Sequence, residues 1–313
     1  MNTETYSKPL LILLVVILAL EGYFFTSSNI KLNNEFAKQE KELQSLQVAL
    51  GSLPIVARAI SVYDVDGNSE IYGKNADLPL PIASLAKSMT VAVALAGENK
   101  DKVIYLSSSS ISQFGDFGLF ANEKWKLGDL ARLTLIASAN DGAYMLGERG
   151  GLSFLSRMNT KAQKIGMEHT AFSNYTGLDI ISNGNEETPV AERDATVGAY
   201  ASANDANMMA MYILKALPDV ANATTKAEIT LVSDSGFTHT YKNTNLILDK
   251  IPNILYSKTG FTELAGGNLT VIFENKDNVK FAVTVLGSTM EERFTDMEKI
   301  VNVLYSGDYA GRN

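Results

Sequence analysis

Strand-like segments stand at the two ends of residues 51–313, and the stretch between them reads as helix-rich. Ala57 to Tyr63 has the patterning of a strand, and a return strand near Glu70–Tyr72 follows the turn Asp64-Val65-Asp66-Gly67. At the far end, Ile254–Tyr256 suits a strand, and Leu269–Phe273 and Lys280–Leu286 form a hairpin across Asn275-Lys276-Asp277-Asn278. Between these ends the spacing predicts helices over Ser84–Ala96, Leu127–Ala137, Ala143–Glu148 and Met208–Leu217. Leu155, Met158, Ala162 and Ile165 keep helical spacing until Gly166, and Phe294, Met297, Val301 and Leu304 share one face of a last helix. The simplest packing is one antiparallel sheet built from both ends with the helical block inserted, an α/β (α+β) domain over residues 53–313.

The first fifty residues carry a different pattern. Leu10 to Leu20 is continuously apolar, and Tyr23, Phe24 and Phe25 follow Glu21 and Gly22. As a helix, Pro9 to Phe25 spans roughly 25 Å, close to the hydrocarbon thickness of a bilayer. No small-x-small cleavage pattern follows the run and aromatic residues stand at its outer end, so an uncleaved anchor over residues 1–28 is preferred to a cleaved signal peptide. Either reading puts the bulk of the chain outside the cytoplasm, and the anchor makes it a single-pass protein of the cell membrane. In residues 29–52, Leu32, Phe36, Gln39, Leu43, Leu46 and Leu50 trace a heptad seam. The seam reads first as a solvated helical stalk, and alternatively as a short coiled coil forming a weak homodimer. A glutamine in a seam of fewer than three heptads favours the stalk. Gly51, Ser52 and Pro54 mark its end.

Composition removes several chemistries. There is no cysteine, so no thiolate nucleophile, disulfide framework or thiolate metal site exists. With two histidines, His169 and His239, one chain cannot build a three-histidine zinc site. The formal charge of −8 argues against a nucleic-acid partner.

Three short motifs remain. Ser84-Leu85-Ala86-Lys87 places a hydroxyl and an amine on one helix face, a nucleophile and base that need no histidine. Ser28-Asn29-Ile30-Lys31 repeats the spacing beside the anchor and carries no function. Ser138-Ala139-Asn140-Asp141 interrupts two apolar helices, whereas its copy at Ser202-Ala203-Asn204-Asp205 is accounted for as a helix N-cap. Lys258-Thr259-Gly260 offers a point charge, a hydroxyl and a close backbone approach, although alone it would pass for an exposed turn.

In this order and separation, the three motifs resemble the active-site set of penicillin-binding proteins and serine β-lactamases. The chain is most similar to the low-molecular-mass D-alanyl-D-alanine carboxypeptidase family of serine peptidases. The likeness runs from about Ala59 to Tyr305 through Pro81–Thr90, Met158–Ala162, Gly166-Met167, Thr170–Phe172, Gly177–Asp179, Lys258–Thr262, Ala265-Gly266, Leu286-Gly287 and Arg293-Phe294. The resemblance implies a transpeptidase-like fold, with Ser84 as the acylated nucleophile and Lys87 as its base. It implies that Ser138 relays protons and that Asn140 holds the substrate amide. Lys258 and Thr259 would take the terminal carboxylate, Gly260 would give the close approach, and the backbone N–H groups of Ser84 and Phe261 would form the oxyanion hole. The implied substrate is a peptidoglycan stem peptide ending in D-Ala-D-Ala, with β-lactams as acylating mimics and no metal or cofactor. Phe261 stands where the family frequently has histidine, and neither His169 nor His239 falls in a motif.

Other functions use the same residues. A D,D-endopeptidase of cross-links needs all of them. A class A β-lactamase would need a Glu-x-x-Leu-Asn segment, which Glu186-Glu187-Thr188-Pro189 does not supply. A non-catalytic envelope binding protein would not need the intact serine and lysine.

Overall fold

The computed structural model describes residues 8–115, 117–183, 194–307, 309 and 311. Glu186–Pro189 lies outside the described residues. Five strands, β1 (Ala59–Asp64), β2 (Ser69–Lys74), β3 (Ile254–Thr262), β4 (Gly266–Glu274) and β5 (Lys280–Ser288), form an antiparallel sheet in the order β3-β4-β5-β1-β2. The two ends of the domain meet in its middle, where β1 runs against β5 from Ala59 opposite Leu286 to Asp64 opposite Phe281. The strand alternation of two sorts side chains onto two cores. Phe281, Val283 and Val285 face one layer with Ile60 and Val62, and Ala282 and Leu286 face the other with Ala59 and Tyr256.

The helices are α1 (Lys8–Gly51), α2 (Lys87–Ala94), α3 (Leu127–Ile136), α4 (Asn140–Arg149), α5 (Phe154–Lys164), α6 (Ala203–Ala216) and α7 (Glu292–Ser306), with shorter turns between them. On the outer face of the sheet lies α7, with Met297, Ile300, Val301 and Leu304 buried along one stripe. On the inner face the block of α2 to α6 surrounds α2, every residue of which is buried. A helix buried on all sides belongs at the centre of such a block.

The N-terminal segments differ from the expectation. Residues 8–51 form one continuous helix through the boundary drawn between anchor and stalk. Its last turns are not a free stalk: Leu43, Leu46 and Leu50 are buried with α7 in the outer core, and Gln47 Nε2 donates to the Ile71 carbonyl at 2.8 Å. Burying each leucine is worth roughly 2 kcal/mol, which fixes the helix end to the domain. Of the apolar seam positions, Leu32 and Phe36 stay exposed. Among the described residues no helix is long and apolar enough to cross a membrane. Within Leu10–Leu20 only Leu13 and Ile17 have described side chains, so the anchor expectation falls mostly outside the described residues.

Candidate active site

Ser84 sits in a 3₁₀ turn, Ala83–Ala86, that leads directly into α2. A single α-helix from Ser84 was expected, and the tighter turn is what the site uses. In 3₁₀ geometry residues i and i+3 eclipse, which brings Lys87 Nζ to 2.6 Å from Ser84 Oγ. Lys87 Nζ also donates to the Thr176 carbonyl at 3.0 Å. A neutral amine keeps two hydrogens and one lone pair, so with one hydrogen on Thr176 the lone pair is available to the serine proton.

The turn is forced. Ala83 has φ +47°, a left-handed conformation that costs a non-glycine residue about 1–2 kcal/mol. Its surroundings hold it there. Ile82 N–H donates to the Ala199 carbonyl at 3.1 Å, and Asn268 Nδ2 donates to the Pro81 carbonyl at 3.1 Å. Gly177 packs against the same backbone so closely that a Cβ on it would stand 2.0 Å from the Ala83 oxygen.

The opposite wall begins at Ser138, also left-handed at φ +58°. That kink ends α3 and lets α4 start at Asn140, three residues earlier than the apolar pattern suggested, so Asn140 lies on the first turn of a helix. Asn140 Nδ2 donates to the Phe114 carbonyl at 2.6 Å, while its Oδ1 is buried with no partner among the described residues.

The third wall is β3, an edge strand in which Lys258, Thr259 and Gly260 are buried, not a surface turn. Lys258 Nζ donates to Ser138 Oγ at 2.8 Å and to the Thr259 carbonyl at 2.8 Å, closing the space between the two walls. Thr259 Oγ1 shares a 2.6 Å hydrogen bond with Thr244 Oγ1. Gly260 presses onto the nucleophile turn: a Cβ there would lie 2.6 Å from the Ile82 oxygen and 3.3 Å from both Ser84 N and Leu85 N. Phe261, the next residue, is half-buried. Behind the strand, Tyr256 and Ser88 share a 2.6 Å hydrogen bond that ties β3 to α2.

Three basic side chains gather around the site, and burial opposes the charge on each. Burial pushes the Lys87 amine down to about 7. Lys258 is held well below the usual lysine range by burial first, then by the charges of Lys87 and Arg293. Arg293, buried on α7, donates from Nη1 to the Gly260 carbonyl at 2.8 Å, and burial lowers it to about 10. Neither lysine pairs with a carboxylate among the described residues. No cluster of His, Cys, Asp or Glu among the described residues could hold a metal ion.

Of the eight positions singled out from the sequence, the structure joins two pairs, Ser84 with Lys87 and Ser138 with Lys258, packs Gly260 against the Ser84 turn and ties Thr259 to Thr244. Asn140 bonds instead to the Phe114 carbonyl, and Phe261 adjoins Gly260 along β3. Ser138 accepts a hydrogen bond from the second lysine, Lys258. Four contributors had no role in the sequence reading: the Thr176 and Phe114 carbonyls, Thr244 and the Arg293 guanidinium. Backbone carbonyls leave no signature in residue type, and Arg293 appeared only as part of the closing Arg-Phe of the resemblance. His239 lies away from the site, its Nε2 2.7 Å from Glu123 Oε1 and its ring stacked on Tyr241. His169 contributes its backbone N–H to Asp205, and the Asp205 N–H in turn donates to Ser202 Oγ, which caps α6.

Comparison with known proteins gives one family. The profile described as D-alanyl-D-alanine carboxypeptidase matches residues 47–290. The D-alanyl-D-alanine carboxypeptidase DacF of Bacillus subtilis is 28% identical over 87% of this chain and 66% of its own length. A D-alanyl-D-alanine endopeptidase of Escherichia coli is 30% identical over 77% of this chain and 75% of its own. The chain thus spans about two thirds to three quarters of these relatives. Among solved structures, the ampicillin-bound Penicillin-Binding Protein D2 of Listeria monocytogenes superposes with a TM-score of 0.67 at 30% identity, covering 80% of this chain and 98% of that one. The Streptomyces K15 DD-transpeptidase, at 23% identity and a TM-score of 0.68, shares the fold.

Proposed function

The chain belongs to the D-alanyl-D-alanine carboxypeptidase family of serine peptidases, and from that premise we propose that it releases the terminal D-alanine of peptidoglycan stem peptides through an acyl-enzyme on Ser84. The observation that carries this reading is the buried pair Ser84 Oγ and Lys87 Nζ, 2.6 Å apart, with the amine pushed down to about 7 by burial. An amine so tuned is half neutral at physiological pH and serves as a general base.

Ser84 Oγ attacks the carbonyl carbon of the penultimate D-alanine while its proton passes to Lys87 Nζ. The developing oxyanion lies between the N–H groups of Ser84 and Phe261, which the tight contact of Gly260 with the nucleophile turn keeps on either side. The C–N bond then breaks, the leaving amine takes a proton from the Lys258–Ser138 pair or from Lys87, and water hydrolyses the ester. Lys258 and Thr259 receive the terminal carboxylate. Asn140 Oδ1, with its amide fixed by Phe114, accepts a hydrogen bond from a substrate N–H. The free side of edge strand β3 accepts an extended peptide as a further strand. A β-lactam enters by the same steps, consistent with the ampicillin-bound structure of the Listeria relative. Cross-link cleavage uses the same residues, and the endopeptidase names among the relatives favour it as the second reading.

We place the enzyme outside the cytoplasm, held at the cell membrane by the apolar run Leu10–Leu20 with Tyr23, Phe24 and Phe25 at its edge. The test of the chemistry is an intact-mass time course with benzylpenicillin. A long-lived single adduct absent from Ser84→Ala is expected. Fast release of hydrolysed drug would make the chain a lactamase, and no adduct with no drug loss would sink the acyl-enzyme.

A further inference from the structure

At the end of α2 remote from Lys87, two clefts of about 230 and 270 Å3 meet along α5 and play no part in the mechanism above. Val93, Ala96 and Arg157 belong to both, so the clefts join into one groove. Its walls are basic. Arg149 stands in one cleft, Thr160, Lys161 and Lys164 stand in the other, and Arg157 lies between them. The whole chain carries a formal charge of −8, so this run of cations is a local feature that overall composition does not produce.

Helix α5 sets the run out in a line. Phe154, Met158 and Ala162 are its buried residues, and Arg157, Lys161 and Lys164 follow one another at i, i+4 and i+7 on a neighbouring face. At about 1.5 Å per residue the three cover roughly 10 Å of helix. None of the three pairs with a carboxylate among the described residues. Arg157 is steadied by its own neighbours: its guanidinium lies over the Phe154 ring at 5.1 Å and Nη2 donates to the Gly150 carbonyl at 3.4 Å. Lys161 Nζ rests over the Tyr212 ring at 4.0 Å, and Lys164 is exposed. Glu98 is the carboxylate in the groove, and it is already engaged by Arg149 Nη2 at 2.9 Å and by Lys102 Nζ at 3.2 Å. Carbonyls at this end of α2 are taken as well, Val93 O by the Ala96 N–H and Leu95 O by the Glu98 N–H.

Cations held in a line without countercharges suit an anion that runs lengthwise, because each phosphate they neutralise releases a condensed counterion. A bilayer is the poorer match. The strip is concave, and α1, which carries the apolar run, packs with α7 on the opposite face of the sheet. We propose that this groove binds a linear, phosphate-bearing polyanion and leaves Ser84, at the other end of α2, open. The test titrates the full-length protein with long-chain polyphosphate across a series of salt concentrations. Wild type should bind, with an affinity that falls as about the third power of salt. Arg157→Gln with Lys164→Gln should lower that exponent by about two and weaken binding roughly tenfold or more at low salt. Lys226→Gln with Lys242→Gln, at exposed positions outside the groove, removes the same formal charge and should leave the exponent unchanged. Should the groove double variant fail to fold, Lys164→Glu alone reads the same exponent. No polyphosphate binding, or an exponent that the groove variant does not move, overturns the proposal. Orthophosphate competing equally at matched phosphate concentration overturns the linear ligand in favour of a small free anion. Binding to phosphatidylglycerol vesicles that drops in the groove variant, while its polyphosphate binding does not, would make the strip a membrane face and overturn it too.

Discussion

Replacing Lys87 by methionine should make the protein more stable at pH 7 while abolishing acylation. The side chain is fully buried at the start of α2, and burial alone takes its amine from 10.5 to about 7. The unfolded chain therefore holds this proton up to about pH 10.5, whereas the folded chain gives it up at about pH 7. Between those limits the unfolded state binds more protons, so stability rises with pH by about 1.4 kcal/mol per unit and the full penalty applies below them. At pH 7 the buried amine costs about 4 kcal/mol relative to an unperturbed lysine. Methionine fills nearly the same volume without that penalty but loses the hydrogen bonds to Ser84 and Thr176, worth about 1 kcal/mol each. The net gain is about 2 kcal/mol, or about 5 °C in Tm. Urea melts of both proteins at pH 6, 7, 8 and 9 read it directly. Wild type should gain stability across the series and Lys87→Met should gain less, its advantage shrinking as pH rises. Lys258 adds a slope of the same sign to both proteins, reduced in the variant because the repulsion from Lys87 is gone. A wild-type curve flat from pH 7 to 9, or a variant less stable than wild type at pH 7, would refute the argument that a desolvated, destabilising amine is the catalytic base.

The rate constant for acylation by benzylpenicillin should climb with a slope of one below about pH 7 and level off above it, since only neutral Lys87 takes the serine proton. Stopped-flow or quenched mass measurements from pH 5 to 9 check this, and a flat profile removes Lys87 as the base. Gly260→Ala puts a methyl group 2.6 Å from the Ile82 oxygen, so β3 must retreat from the nucleophile turn. Acylation should fall by about 10²-fold with the fold retained. A loss within threefold would show that the contact between strand and turn does not set the oxyanion geometry.

The architecture was legible because the strand-like segments at the two ends carry a period of two and the block between them a period of 3.6. The pairing of β1 with β5 is the consequence. The site was legible where chemistry is written in residue type, in Ser84, Lys87, Ser138, Asn140 and Lys258-Thr259-Gly260. Backbone conformation was less legible. Nothing in Ile82-Ala83-Ser84 announces a left-handed alanine, because tertiary contacts from Gly177 and Ala199 impose it against local preference. Strand β3 reads as three apolar residues but runs for nine, since the polar Lys258 and Thr259 are buried within it. The heptad seam misled for a similar reason. Leu43, Leu46 and Leu50 have the spacing of a helix seeking a partner, and the partner is the domain's own α7 and sheet.

The same tension between local preference and placement explains the charge of the site. Two left-handed residues, Ala83 and Ser138, deliver a serine hydroxyl to one buried lysine and a second serine hydroxyl to another. Among the described residues no carboxylate neutralises either amine, and Arg293 on the far side of β3 adds to the positive field. Each protonation therefore opposes the next, and the pair acts as a unit. A substrate bringing a free carboxylate to Lys258 supplies the missing countercharge. In the proposed mechanism that carboxylate favours the charged form of Lys258, and a charge there disfavours protonation of Lys87. Recognition of the terminal carboxylate and activation of the base are then one event. A substrate whose terminal carboxylate is amidated should lose kcat as well as raise KM, because it leaves Lys258 without that countercharge and relieves the pressure on Lys87. If only KM rises, the carboxylate contributes binding alone and the two lysines titrate independently.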